Sequence, residues 1–236
     1  MFTTRIDEVA AGIHRISTAI PPAVAPGGFS FNQYLVDDDE ALLFHTGARS
    51  LFPGVSEAVR RVMPLERLRY VAFSHYEQDE CGALNLLLAA APQAVPVCSA
   101  VNAMVNADGM DRPPRVLRDG ETLVTGRRTL EWIDAPHLPH AWENGFLFDR
   151  SSSTLFCGDL FTQPGTGDVP ITEGDILGPS ETMRGRMDYY AHGPRDGKLI
   201  ERLAGLEPRT LACMHGSAWS GDGAALLREL GAALAR

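Results

Sequence analysis

The chain has no long apolar run, no excess of basic residues and no paired cysteine motif. No stretch approaches the roughly 20 apolar residues needed to cross a bilayer, so no membrane partner is expected. The start, Met1-Phe2-Thr3-Thr4-Arg5-Ile6-Asp7, lacks the charged-then-apolar layout of a signal peptide. Lys and Arg number 21 against 30 Asp and Glu, a net charge of −9. That balance argues against a nucleic-acid partner, because no basic face would neutralise phosphates. Cys81, Cys98, Cys157 and Cys213 are scattered, three of them in apolar strand-like contexts. Buried free thiols in a reducing cytoplasm are therefore expected, and not disulfides.

What is present is a globular composition, 44% hydrophobic and 22% charged over 236 residues, enough for a sizeable core. Strand-like and helix-like segments alternate. Strands are predicted at 12–16, 31–36, 41–44, 69–73, 94–98, 117–124, 129–133, 146–149, 154–157 and 210–214. Helices are predicted at 55–62, 81–91, 101–106, 198–206 and 223–235, with Pro92 stopping the second. The acidic run 37–40 reads as a solvated hairpin tip. Residues 163–187 are rich in Gly and Pro, carry little periodicity and suit a lid or site wall. No composition break marks a linker, so residues 1–236 are expected to form one domain with two similar halves.

One stretch concentrates chemistry. His75-Tyr76-Glu77-Gln78-Asp79-Glu80-Cys81-Gly82 follows the apolar run Tyr70-Val71-Ala72-Phe73. Its ligand-type side chains sit where a strand would end and a helix begin, a usual place for a site in α/β sheets. Three later segments share that layout. Trp132 to His140 ends in Pro136-His137-Leu138-Pro139-His140, Thr154 to Asp159 ends in Cys157-Gly158-Asp159, and Leu211 to Gly216 contains Met214-His215-Gly216. Ligand loops at one sheet edge can converge although distant in sequence. Four ionised carboxylates, Glu77, Asp79, Glu80 and Asp159, would repel one another strongly without cations. Two divalent ions would neutralise them. Imidazole nitrogens with many oxygens suit iron or manganese, and zinc stays open.

This ordered set resembles the metallo-β-lactamase superfamily, whose signature is HxHxDH, then a His, an Asp and a His. Glu77 in place of the second His is similar to the flavodiiron branch and its flavin-free oxygen-binding di-iron relatives, which carry HxExDH. Gly82, Leu84 and the Gly-Asp-Leu-Phe at 158–161 also resemble that branch. The resemblance implies an α/β (α+β) fold, a four-layer αββα sandwich in a single domain. It implies one metal held by His75, Glu77 and His140, another by Asp79 and His215, and Asp159 bridging them. Glu80 replaces the motif's last His and reads as a ligand, a supporting group or a general base. Alignment favours His140 as the ligand, with His137 as the alternative. His45, where the superfamily commonly has a structural Asp, is expected to hydrogen-bond a ligand carboxylate. His14 and His192 are read as hydrogen-bonding groups outside the site.

Two functions follow as expectations. The resemblance implies a di-iron protein that binds dioxygen, or reduces dioxygen, nitric oxide or peroxide. The chain ends at Arg236, just past the last predicted helix, without room for a flavodoxin domain. An electron donor would then be a separate protein. The alternative is a hydrolase of an ester, lactone, thioester or phosphodiester, with metal-activated water and Glu80 taking its proton. Tyr189 and Tyr190 are candidate contacts for the small substrate. A homodimer is compatible with the sequence, although nothing specific in it demands one.

Overall fold

The computed structural model describes residues 2–236. The first sheet places β1 (Thr3–Ala10), β2 (Ile13–Ile20), β3 (Phe29–Val36), β4 (Leu42–Phe44), β5 (Tyr70–Ala72), β6 (Val95–Ser99) and β7 (Arg115–Leu117) side by side in chain order. Pairing is antiparallel from β1 to β4 and parallel from β4 to β7. The second sheet contains β8 (Thr122–Val124), β9 (Thr129–Asp134), β10 (Gly145–Asp149), β11 (Thr154–Phe156), β12 (Ile171–Thr172), β13 (Thr210–Ala212) and β14 (Ala218–Ser220). Its order is β12-β14-β13-β11-β10-β9-β8, and β11 runs parallel to β13.

Strand alternation sorts the core into layers. Leu42 and Phe44 of β4, with Tyr70 and Ala72 of β5, meet Trp132, Leu147, Phe156 and Ala212 between the sheets. The intervening Leu43 and Val71 face the opposite way, as the two-residue period of a strand requires. They pack with Val55 and Val59 of α1 (Phe52–Arg60), Cys81 of α2 (Gln78–Cys81) and Leu84, Leu87 and Leu88 of α3 (Leu84–Ala90). The short α4 (Ala100–Asn106) follows β6 and is capped by Ser99, whose hydroxyl accepts from the Asn102 N–H. On the far side, Leu155 and Leu211 pack with Leu177 of α5 (Leu177–Arg186), Ile200 and Leu203 of α6 (Asp196–Ala204), and Leu227 and Leu230 of α7 (Gly223–Leu234). The result is the expected αββα sandwich.

Several boundaries differ from the sequence reading. The strand predicted at 117–124 is two strands, β7 and β8, and they belong to different sheets. Arg118 to Glu121 turns the chain between them, with the Glu121 N–H donating to the Arg118 carbonyl at 2.9 Å. The helix predicted at 81–91 breaks at Gly82-Ala83. There the Ala83 N–H donates to the Gly47 carbonyl and the Thr46 hydroxyl instead of continuing the helix. Residues 163–187 contain β12 and α5. That helix buries only Ser180 within its span, so it has no apolar stripe to announce it. β1 was not anticipated either; it is held chiefly by main-chain pairing to β2.

The acidic turn after β3 is solvated at Asp39 and Glu40 but not at Asp38. Asp38 is buried, and its carboxylate accepts from the Thr125 hydroxyl, the Arg127 and Arg128 backbone N–H groups and Arg127 Nε at 2.9–3.3 Å. These donors lie between β8 and β9, so one carboxylate ties the two sheets together. Burial pushes the Asp38 pKa upward, but the Thr125, Asp39 and Arg127 donors outweigh it. They hold the group down to about 2, from an ordinary 3.8. A depressed carboxylate contributes stability that is complete above its unfolded pKa and is lost as pH falls through its folded value. The contribution is about 2 kcal/mol. Thermal unfolding by circular dichroism should show that amount disappearing between about pH 4 and about pH 2. Asp38→Asn should be less stable at neutral pH and should lack this part of the acid transition.

Candidate metal centre

Both sheets bring strand ends to one edge of the sandwich. Ser74 and His75 follow β5, His140 follows β9, Asp159 follows β11 and His215 follows β13. Glu77 precedes α2, and Asp79 and Glu80 lie in its first turn. All seven residues singled out in the sequence meet here. His75 Nε2 is 3.1 Å from His140 Nε2, 3.7 Å from Glu77 Oε2, 3.8 Å from Glu80 Oε1 and 3.6 Å from Asp159 Oδ2. His140 Nε2 is 3.5 Å from Glu77 Oε1 and 3.4 Å from Asp159 Oδ2. His215 Nε2 is 3.6 Å from Asp79 Oδ2 and 3.2 Å from Asp159 Oδ1. Asp159 thus turns one oxygen toward His75 and His140 and the other toward His215.

The imidazoles are oriented from behind. His140 Nδ1–H donates to the Tyr189 carbonyl and His215 Nδ1–H to the Ser30 carbonyl, both at 2.8 Å. A carbonyl can only accept, so each Nε2 is left with its lone pair facing the cluster. His75 Nδ1 meets Asn144 Oδ1 at 3.1 Å. The Asn144 amide donates to the Leu138 carbonyl at 2.6 Å, which turns its oxygen toward the ring. The Nε2 atoms of His75 and His140 therefore face each other at hydrogen-bonding distance, and neither can donate while both are neutral. Only a proton or a cation reconciles that pair.

Charge gives the same answer. Among the described residues, Glu77, Asp79, Glu80 and Asp159 have only imidazoles as cationic partners. Glu80 is fully buried and neither of its oxygens has a hydrogen-bond partner. Burial, reinforced by Asp159 and Asp79, raises its pKa well above the usual range. Bonding to His140 and His75 holds Glu77 down to about 2. Burial works against protonation of His140, but Glu77 and Asp159 lift it to about 9. Burial likewise opposes protonation of His215, yet Asp159 and Asp79 raise its pKa. Asp159 is held low by His215, His75 and His140 despite its own burial. The imidazoles thus neutralise Glu77 and Asp159 in part, while Glu80 is left without positive charge. Three imidazoles and four carboxylates, with no thiolate, fit hard or borderline cations such as iron or manganese.

Other sequence expectations fare differently. His137 is exposed, and its backbone N–H donates to Ala141; it lies outside the cluster. His192 binds Asp188 at 2.7 Å, also away from it. His14 is half-buried on β2. His45 does not hydrogen-bond a ligand carboxylate. Its Nε2 meets Ser74 Oγ at 3.0 Å, and that hydroxyl meets His75 Nδ1 at 3.0 Å, so His45 supports an imidazole instead. Burial lowers the His45 pKa to about 3, keeping the ring neutral. Tyr189 offers its carbonyl to His140 and its ring edge-on, with centroids 6.4 Å apart.

Sequence reasoning missed the polar clamp under His215. Asn32 donates to the Cys213 and Gly216 carbonyls, Tyr34 to Cys213, and buried Arg15 to Gly216 at 2.6 Å. Phe29 stacks on the His215 ring, with centroids 4.4 Å apart. These residues come from β2 and β3, almost 200 positions upstream, and carry no local motif.

A family model described as ODP family beta lactamase matches residues 29–216. Rubredoxin-oxygen oxidoreductase of Megalodesulfovibrio gigas is 26% identical over 212 residues, covering 84% of this chain and 51% of that protein. Anaerobic nitric oxide reductase flavorubredoxin of Salmonella arizonae is 28% identical over 141 residues, 58% of this chain and 29% of that one. The chain thus spans about half, or less, of these curated relatives. The Flv1 flavodiiron core of Synechocystis sp. PCC6803 superposes with a TM-score of 0.81 at 22% identity, covering 99% of this chain and 61% of that chain. With a model that matches most of its length, the chain belongs to the ODP family beta lactamases.

Proposed function

We propose that this protein is a non-haem di-iron protein that binds dioxygen or reduces dioxygen or nitric oxide. The observation that carries the reading is Asp159, with one oxygen 3.4 Å from His140 Nε2 and the other 3.2 Å from His215 Nε2. A carboxylate placed this way can be shared by two cations. His75, Glu77 and His140 would hold one metal and Asp79 and His215 the other, with Glu80 as a further carboxylate between them. Four carboxylate charges balance two divalent ions and favour the ferric state after electron loss. When bound and reduced, an iron pair supplies the electrons for a diatomic oxidant. The named activities of the oxygen oxidoreductase and the nitric oxide reductase point to that substrate class.

The chain's own groups do the rest. The carbonyls of Tyr189 and Ser30 and the amide of Asn144 hold three rings with Nε2 inward. Phe29 covers one flank of His215 and keeps water off it. Glu77 is half-exposed and stands at the mouth, whereas Glu80 is enclosed. In the metal-free protein the enclosed Glu80 carboxyl takes up a proton more readily than an ordinary one; with cations beside it the group would be ionised and count among the four negative charges. Electrons would come from a separate donor protein. The polypeptide would act as one domain across residues 1–236.

Metal analysis of freshly purified protein, paired with its visible spectrum, tests this reading. About two iron atoms per chain are expected, with a near-ultraviolet band that dithionite bleaches and air restores. A colourless protein containing zinc, with activity toward a lactone or thioester, would establish the hydrolase reading instead. Replacing His140 or His215 by Ala should each remove one metal position and cut the iron content to about half or less.

Glu80 separates binding from stability. Glu80→Gln removes a buried carboxylate whose oxygens have no donor, so the metal-free protein should melt higher. The same substitution should weaken iron binding by about 10–100-fold, the range expected when a group supporting a metal site is lost. Calorimetry of the metal-free form and competition with a chelator read the two effects separately. If affinity is unchanged, Glu80 has no part in holding metal.

A further inference from the structure

Two thiols lie one step beyond the register that pairs β11 with β13. Phe156 and Ala212 are partners in that parallel pair, so Cys157 and Cys213 are neighbours across it. Their sulfurs are 3.7 Å apart and both side chains are fully buried. Adjacent strands run about 4.8 Å apart, inside the Cα separation of about 4.4–6.8 Å that a disulfide accepts. Cys157 precedes Asp159 by two residues, and Cys213 precedes His215 by two. The pair therefore sits where the two strands hand over to the cluster.

The other cysteines are placed differently. Cys81 Sγ is turned to the Glu77 carbonyl at 3.0 Å, and Cys98 is buried on β6 in the first sheet. Among the described residues, Cys157 and Cys213 are the pair whose sulfurs meet. The difference matters under oxidation. An isolated thiol passes through sulfenic acid toward irreversible products, whereas a thiol with a neighbour is captured as a disulfide. Burial excludes large thiol reagents and pushes the Cys157 thiol pKa up, so oxidation requires a local opening that admits a small oxidant such as hydrogen peroxide.

We propose that Cys157 and Cys213 form a peroxide-responsive dithiol that becomes a disulfide and alters the strand ends carrying Asp159 and His215. The balance is 2 Cys–SH + H2O2 → Cys–S–S–Cys + 2 H2O. Two S–H bonds and the O–O bond break, and one S–S bond forms. Each sulfur loses one electron and each peroxide oxygen gains one; the thiol protons leave in water. The sulfurs must close from 3.7 Å by about 1.7 Å to reach bonding distance. Side-chain rotation takes part of that movement and the strand ends take the rest. Asp159 Oδ1 and His215 Nε2, now 3.2 Å apart, lie directly downstream. The bond itself stands on the thiol geometry alone; its effect on metal rests on the proposed function.

The test treats the whole protein with graded hydrogen peroxide, blocks free thiols by alkylation and maps peptides without reduction. Free thiols should fall from four to two, the mass by two hydrogen atoms, and one cross-linked peptide should join Cys157 to Cys213. Dithiothreitol should reverse all three. Cys157→Ala should abolish the cross-link, whereas Cys81→Ala should retain it; the wild-type map decides the matter even if Cys157→Ala folds poorly. In metal-loaded protein, oxidation should weaken iron retention against a chelator by about tenfold, reversibly. Four intact thiols at peroxide doses that oxidise a simple thiol peptide would overturn the proposal. So would sulfinic acid at Cys157 without a cross-link, or a disulfide that leaves iron retention unchanged. A clean cross-link in a protein that never binds iron would instead count against the di-iron reading.

Discussion

Four carboxylates share one small space with three imidazoles and, among the described residues, no lysine or arginine, and the rest of the structure accommodates that arrangement. Each group is costly there by itself. A buried carboxylate without a donor is unfavourable, and facing imidazole lone pairs repel. The cluster becomes reasonable only when positive charge enters it. Asp159 links its two parts because its oxygens diverge toward different rings. The raised pKa of Glu80 reports burial and negative charge left uncompensated, while the raised values of His140 and His215 and the depressed ones of Glu77 and Asp159 show imidazoles and carboxylates partly neutralising each other.

The sandwich is what makes that arrangement tolerable. Short strands β4, β5, β11 and β13 are buried on both faces, so packing sets where the site loops begin. The loops they release are held by backbone carbonyls and by side chains of β2 and β3. The Arg15, Asn32 and Tyr34 clamp secures residues 213–216 from the opposite sheet. Asp38 secures the other end of the interface between sheets. The cost of assembling like charges is thus spread across the contact between the two sheets, and does not fall on the site loops alone. Cys157 and Cys213 sit at the ends of two of these strands, so a bond between them would act on the cluster through the strands.

Local chemistry carried much of the fold and nearly all of the cluster. His75, Glu77, Asp79 and Glu80 are close in sequence and follow a run that reads as a buried strand. His140, Asp159 and His215 repeat that layout. The misreadings have physical reasons. Residues 117–124 look like one strand because both halves have strand composition, although the chain changes sheets between them. α5 buries only Ser180 fully, so no apolar period marks it. Asp38 looks solvated because a run of acids normally is, and its donors come from residues 125–128. His137 and His140 were close rivals three residues apart, and the His140 bond to the Tyr189 carbonyl separates them.

By itself the sequence determined the alternation of strands and helices and the residue types that gather around a cation. Those features depend on side-chain polarity and on neighbours a few positions away. Only the tertiary structure decided which nitrogen of each imidazole faces inward, that Asp159 reaches both groups, that Glu80 has no donor, and that two thiols touch. Those facts depend on backbone atoms and side chains brought together from opposite sheets. No local pattern encodes a contact between Ser30 and His215 or between Cys157 and Cys213.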